Sequence, residues 1–206
     1  MIDDKALADT VWGRFKDYVP DNLRGIKPVP YMSSVTMGDE YTPIGVHPRF
    51  RFYKYDPITD YILKHDDYRN SRYRYDPDTD TYYLQMTFFT PLIYLNGKFE
   101  DGETCFWTKY STPEQEGASH CRFLRETEFA PHDLAIKPKT GMGLLQDHMV
   151  QHEGKPCRKG TKYIVRTDIL HETEIPKGRA EDSLKKGQIY SDWTRHYEPS
   201  CPNYTE

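Results

Sequence analysis

The chain has 206 residues, 28 basic and 32 acidic, so its formal net charge is only −4 at pH 7. This balance, without a basic stripe, argues against nucleic acid as the main partner. Aromatic residues make up 14% of the chain and supply the apolar surface of a core, which predicts one globular domain. The longest nearly apolar run, Phe88 to Leu95, is too short to cross a membrane and contains a proline.

The N-terminus, MIDDKALADT, lacks the basic and apolar regions of a secretory leader. The four cysteines, Cys105, Cys121, Cys157 and Cys201, are far apart and form no CxxC pair. Dispersed cysteines of this kind are typical of free thiols in a reducing compartment. We therefore expect a cytoplasmic protein without a membrane anchor.

An N-terminal helix is predicted after the acidic pair Asp3 and Asp4, ending before Pro20. Its apolar face, at helical spacing, consists of Leu7, Val11, Phe15 and Tyr18. A connection rich in proline and glycine follows. Residues 1–48 are expected to form a helix and connection packed on the core.

From Arg49 the pattern changes to short β-type segments separated by Gly, Pro, Asn and Asp. They are RFRFYKY (49–55), YILKH (61–65), TYYLQMTFFTPLIYLN (81–96), TCFWTKY (104–110), DLAIK (133–137), MGLLQ (142–146) and KYIVRTDIL (162–170). Many short strands with turn residues between them predict an antiparallel barrel or sandwich, here over residues 49–173. The polar residues 174–206 are expected to form a C-terminal extension.

The segment from Tyr68 to Thr81 is rich in Arg and Asp and is predicted to be a surface loop near the mouth of the barrel. Within it, YDPDTDT has the opening spacing of a calcium-binding loop. Thr81 and Thr87 stand where such a loop needs glycine and glutamate. The acidic residues therefore predict a solvated hairpin tip.

Three residues form a candidate metal site. His65 and Asp67 stand two positions apart in an extended segment, so both side chains can converge on one ion. His152, 85 residues after Asp67, ends an apolar strand. Two histidines and one carboxylate on open β-structure favour non-haem Fe(II), with three coordination positions left free. Taken alone, the His-x-Asp pair is equally compatible with a surface ion pair.

Around these residues the chain resembles the iron(II)/2-oxoglutarate-dependent dioxygenases, specifically their prolyl 4-hydroxylase-like branch. The resemblance runs from about Arg49 to Leu170, through RFYKYDP, HDD, LIYLNGKFEDGETCF, KPKTGMGLL and HEGKPCRKGTKYIVRTD in that order. It implies a mainly β fold, the double-stranded β-helix or jelly roll, flanked by the N-terminal helix. Ile58 and Asp101 depart from the pattern, because the family usually has glycine there.

The resemblance implies a role for each site residue. His65, Asp67 and His152 would be the iron ligands and catalytic centre. Lys162, ten residues after His152, and Tyr55, ten before His65, would bind the far carboxylate of 2-oxoglutarate. A carboxylate that enters an apolar barrel needs a cationic partner, because burying it alone would cost several kcal/mol.

Arg166 is a second basic candidate for binding the cosubstrate. Residues at period two share one face of a strand, so Arg166 lies on the side of Lys162 and Asp168. A strand rises about 3.3 Å per residue, which places Lys162 and Arg166 roughly 13 Å apart, too far to share one carboxylate closely. Local periodicity does not choose between them. The family spacing favours Lys162, and Arg166 is expected to pair with a carboxylate, on Asp168 or on a neighbouring strand.

The implied activity is hydroxylation of an unactivated C–H bond with O2 and 2-oxoglutarate, releasing succinate and CO2, with ascorbate as an optional reductant. The branch favours a prolyl residue of a peptide or protein. The alternative is the same chemistry on a small molecule or free amino acid. A zinc hydrolase with these ligands would need a general base, and no HExxH motif is present. A non-catalytic jelly-roll binding module is the remaining alternative.

Overall fold

The computed structural model describes residues 1–25, 39–107 and 132–185. Cys121, Cys201, the end of the predicted strand TCFWTKY and the last part of the C-terminal extension lie outside these ranges. In the described part most of the regular structure is antiparallel β-strand. None of the helices described is long and apolar enough to cross a membrane.

The N-terminal helix α1 (Lys5–Phe15) begins where the sequence predicts. The Asp4 side chain caps it by accepting a hydrogen bond from the backbone N–H of Leu7 at 2.9 Å. Of the predicted apolar face, Val11 and Phe15 are buried and Leu7 is half-buried. Tyr18 instead is 76% exposed: it lies beyond the end of α1 in a 3-10 turn, and Val19 is the residue that packs in the core at this end.

The described residues form fifteen strands. They are β1 (Ile2–Asp3), β2 (Leu23–Arg24), β3 (Glu40–Val46), β4 (Arg49–Tyr55), β5 (Ile62–His65), β6 (Ser71–Asp76), β7 (Thr81–Tyr94), β8 (Glu100–Asp101), β9 (Thr104–Trp107), β10 (Leu134–Ile136), β11 (Gly143–Asp147), β12 (Gln151–Gly154), β13 (Cys157–Lys159), β14 (Lys162–Arg166) and β15 (Ile169–Ile175). A second helix, α2 (Lys177–Lys185), follows β15. The predicted segment KYIVRTDIL comprises two strands, β14 and β15.

The chain winds back and forth between two sheets. In the main sheet β4, β14, β7 and β11 are hydrogen-bonded in that order, and in the smaller sheet β5, β12, β9 and β10 are. The chain passes from β4 to β5, from β7 to β9, and from β11 to β12 before it returns to β14. This alternation is the winding of a double-stranded β-helix, so the predicted mainly β, jelly-roll class is confirmed.

Strand β7 is long because it has two sets of neighbours. Its first half pairs with β6 and β15, and its second half pairs with β14 and β11. Strand β3 pairs with β15 and extends the main sheet further. Helix α1 covers the outer face of this sheet, where Phe15 packs with Phe50, Val165 and Ile169. The inner face is left for the cavity described below.

The prediction of a surface loop from Tyr68 to Thr81 is wrong for most of its length. Residues 71–76 form β6, and only residues 77–80 make the turn to β7. Tyr73 is buried in the core, while Arg72 bonds Gln85 and Arg74 bonds Glu172 on the other face. The charges that suggested a loop are therefore paired by neighbouring strands. The predicted hairpin tip is confirmed.

Two departures from the family pattern keep a backbone shape that suits glycine. Ile58 has a φ of +71° and Asp101 a φ of +64°. The left-handed region costs an L-residue about 1–2 kcal/mol, most severely when it is β-branched. The Ile58 N–H nevertheless donates to the Cys157 carbonyl at 2.7 Å. The turn is thus preserved at a local energetic cost.

Candidate active site

The fold brings His65, Asp67 and His152 together. His65 ends β5 and pairs directly with His152 of β12, so that their ring centroids lie 4.3 Å apart. Asp67 Oδ1 lies 3.9 Å from His65 Nε2, and Asp67 Oδ2 lies 3.9 Å from His152 Nε2. All three potential ligand atoms fall within 4.8 Å of one another, a group that could hold a metal ion.

Both histidines present Nε2 to this centre. His65 Nδ1 lies 2.7 Å from the Leu63 carbonyl, and His152 Nδ1 lies 2.9 Å from the Val150 carbonyl. A carbonyl can only accept, so each ring carries its proton on Nδ1 and has a lone pair on Nε2. Burial, aided by the nearby His65, lowers the pKa of His152 to about 4. Neutral imidazoles with the other nitrogen anchored are the form in which proteins bind divalent metals.

Asp67 is buried and fully engaged. Its Oδ1 accepts from Arg166 Nη1 at 3.0 Å, and its Oδ2 accepts from Thr90 Oγ1 and Gln146 Nε2, each at 3.0 Å. Burial by itself would raise the pKa of Asp67. The charge of Arg166, together with the nearby imidazoles, outweighs it and holds this pKa well below its usual range. The carboxylate is therefore ionised, as a metal ligand must be.

Arg166 does pair with the predicted Asp168, and it also pairs with Asp67, which follows β5 of the smaller sheet and is not on a strand next to β14. Arg166 Nη1 lies 3.0 Å from Asp67 Oδ1, and Arg166 Nη2 lies 3.7 Å from Asp168 Oδ1. Asp168 is also approached by Arg51 at 3.5 Å and by His148 Nε2 at 3.5 Å. Arg166 thus belongs to a buried network of charged side chains that holds the Asp67 carboxylate in place.

Lys162 lies at another part of the same cavity. It pairs across the sheet with Tyr55 and is only 2% exposed. Its ammonium donates to the carbonyls of Gly102 at 3.0 Å and Lys155 at 3.5 Å, and it lies 4.5 Å from the centre of the Tyr55 ring. Among the described residues no carboxylate pairs with it. Burial lowers the pKa of Lys162, so an anion in this cavity would stabilise its charged form.

The cavity between the two sheets connects these groups. It has an empty volume of about 470 Å³, which includes the part that is open to solvent. Its lining includes His65, His152, Lys162 and Arg166. Gly154, two residues after His152, also lines the cavity, and a Cβ there would lie 3.9 Å from the Lys162 ammonium, an ordinary contact distance.

The sequence reading missed two residues of this site, Thr90 and Gln146. Both are buried and both donate to Asp67 Oδ2. Each is a polar residue within an otherwise apolar strand, Thr90 in FFTPLIYL and Gln146 in MGLLQ. A buried polar side chain needs a hydrogen-bond partner. A polar residue within an apolar strand was therefore the sequence signal that could have pointed to Thr90 and Gln146.

No known protein family matches the chain, and no curated protein does. Among solved structures it is similar to the viral collagen prolyl hydroxylase from Paramecium Bursaria Chlorella virus-1. A complex of that enzyme with 2OG is 19% identical, with a TM-score of 0.31, over 60% of each chain. A truncated form is also 19% identical, with a TM-score of 0.33, over 66% of this chain and 58% of that chain. The chain thus matches about 60% of the length of these structures, and a similarity this weak assigns no function.

Proposed function

We propose that the protein is an Fe(II)- and 2-oxoglutarate-dependent dioxygenase that hydroxylates an unactivated C–H bond and releases succinate and CO2. One observation carries the proposal. A single cavity is lined by His65 and His152, whose Nε2 atoms lie beside the Asp67 carboxylate. The same cavity is lined by Lys162, a buried lysine that has no carboxylate partner among the described residues.

The donor set fits iron. His65 and His152 would each give a neutral nitrogen and Asp67 one carboxylate oxygen, a combination that suits Fe(II) and leaves coordination positions open. When bound, the metal supplies a centre at which 2-oxoglutarate and O2 can bind together and O2 can be activated. Arg166, Thr90 and Gln146 keep Asp67 ionised and fixed in orientation.

Lys162 would bind the far carboxylate of 2-oxoglutarate, beside Tyr55. Its ammonium lies over Gly154, which is two residues, or roughly 7 Å, along the strand from His152. A five-carbon diacid can bridge that distance from the metal ligands to the ammonium. An ion pair there would remove the cost of a buried, uncompensated charge, on the order of several kcal/mol.

The cavity favours an oxygenase over a zinc hydrolase. A hydrolase needs a general base near its metal-bound water. The described residues that line the cavity include no Asp or Glu. Asp67 and Asp168, the carboxylates of the buried charge network, are both paired with arginine.

For the substrate we propose a prolyl residue of a peptide or protein, on the basis of the sequence resemblance. A small molecule or free amino acid is the alternative, and one assay separates them. Succinate release would be measured with O2, Fe(II) and 2-oxoglutarate, with and without ascorbate, against proline-containing peptides and against free amino acids and metabolites. Stimulation by free amino acids or metabolites but not by peptides would contradict the prolyl proposal.

The reaction class is tested before any substrate is known. Anaerobic addition of Fe(II) and 2-oxoglutarate should give the visible charge-transfer band of the chelate. The variant His152→Ala should lose it, and Lys162→Ala should require far more 2-oxoglutarate. Lys159→Ala is the matched control, because that lysine is exposed and pairs with Glu100, away from the cavity. If the wild-type protein gives no such band, the proposal is wrong.

A further inference from the structure

Gln146 lies between two of the candidate metal ligands. It is only 6% exposed and lines the cavity. Its amide nitrogen lies 3.0 Å from Asp67 Oδ2 and 3.0 Å from His152 Nε2, while those two atoms lie 3.9 Å apart. The other end of the amide, Oε1, is buried and finds no hydrogen-bond partner among the residues that the structure describes.

The chemistry of its neighbours fixes which way the amide faces. Asp67 is ionised and can only accept. His152 carries its proton on Nδ1, against the Val150 carbonyl, so its Nε2 can only accept as well. An oxygen in this position would be repelled by both atoms, whereas an NH2 group has one hydrogen for each. The amide nitrogen therefore occupies the lone pair of His152 that a metal ion would use.

The hydrogen bonds to Asp67 distinguish its two oxygens. Oδ2 accepts from Thr90 and Gln146, which accounts for both of its in-plane lone pairs. Within the described part of the chain Oδ1 accepts only from Arg166, so one lone pair remains. Of the two oxygens, Oδ1 is the one with capacity to ligate a cation.

We propose that Gln146 is a positioning residue of the metal centre, an inference that rests on the proposed function. Its amide holds Asp67 Oδ2 so that Oδ1 is the ligating oxygen. It also occupies the His152 lone pair until a cation displaces that one hydrogen bond. Gln146 thus favours a single-oxygen contact from Asp67 and keeps both ligands oriented in the metal-free protein.

This role predicts opposite effects for two substitutions. Gln146→Leu removes the bond to Asp67, and losing an outer partner of a metal ligand weakens binding by about 10- to 100-fold. Gln146→Glu places a carboxylate oxygen beside both ligand atoms, where it becomes a further ligand. This added charged ligand outweighs the lost bond to Asp67, so metal binding should be tighter than in wild type. Succinate formation should fall, because the added ligand fills a position that the reaction needs.

The test is an anaerobic Co(II) titration followed by the ligand-field bands of the metal. Wild type, Gln146→Leu, Gln146→Glu and His152→Ala are compared, with thermal unfolding recorded for each. Gln85→Leu is the matched control, because Gln85 is also a buried glutamine but bonds Arg72 and Glu172, away from the site. Its affinity for Co(II) should be unchanged. The bands of Gln146→Leu should differ from those of wild type, since Asp67 is then free to bind through both oxygens.

The outcomes separate the two proposals. Weaker Co(II) binding in Gln146→Leu together with tighter binding in Gln146→Glu supports the inference. Suppose that wild type binds Co(II) with much higher affinity than His152→Ala. If both Gln146 variants then have the wild-type affinity, or both lose affinity to the same extent, the positioning role alone is overturned. If wild type binds no better than His152→Ala, the metal centre and the positioning role fail together.

Discussion

Replacing Lys162 by methionine tests the cosubstrate site most directly, because it removes the charge and nearly preserves the side-chain shape. If the ammonium pairs with the far carboxylate of 2-oxoglutarate, that carboxylate is left buried and alone in Lys162→Met. Breaking a buried pair in this way costs about 3–5 kcal/mol, or about two to three and a half orders of magnitude in affinity. Without cosubstrate little should change, since relief of the buried charge offsets the lost bonds to Gly102 and Lys155.

Thermal unfolding with anaerobic Fe(II) gives the assay. At a 2-oxoglutarate concentration 100 times the wild-type Kd, binding stabilises the folded protein by about 2.7 kcal/mol. For a chain of this size that raises Tm by roughly 5–10 °C. Lys162→Met should show a rise of about 1 °C or less at the same concentration. Lys159→Met, at an exposed position on β13, should behave as wild type. An equal rise in Lys162→Met and wild type would refute the assignment.

Three further predictions follow from particular residues. Ile58→Gly should raise stability by about 1 kcal/mol, seen as a higher urea midpoint with an unchanged slope, because glycine relieves the left-handed backbone at φ +71°; an unchanged midpoint would mean that no strain is stored there. Gly154→Val should weaken 2-oxoglutarate binding but leave Co(II) binding intact, because its side chain would extend toward the Lys162 ammonium; equal loss of both would indicate a distorted strand instead. Burial lowers the pKa of His171 to about 4, so the folded state favours the neutral imidazole. The free energy of unfolding should therefore be highest above pH 6.5 and should fall by at most about 3 kcal/mol as the pH drops toward 4. His171→Leu should flatten that acid limb of Tm against pH, and an unchanged limb would show that other groups cause it.

The sequence alone determined the features that depend on short spacing. A capping carboxylate and apolar residues at helical spacing predicted α1, and alternation with turn residues predicted most strands. His65 and Asp67 lie two residues apart at the end of a strand, so local geometry was enough to place both at one centre. Lys162 and Arg166 likewise share a face, as period two requires. That these residues bind iron and 2-oxoglutarate stays a prediction.

Only the tertiary structure decided which distant groups meet. Thr90 and Gln146 reach Asp67 because β7 and β11 are neighbours in the main sheet while Asp67 follows a strand of the smaller one. Arg166 was expected to pair with Asp168 or with a neighbouring strand, and the fold instead adds Asp67, which follows a strand of the other sheet, to Asp168. The sequence did not predict strand β6 for the same reason, because the arginines of β6 are paired by residues of β7 and β15. Pairing between sheet neighbours depends on topology, and residue spacing carries no record of it.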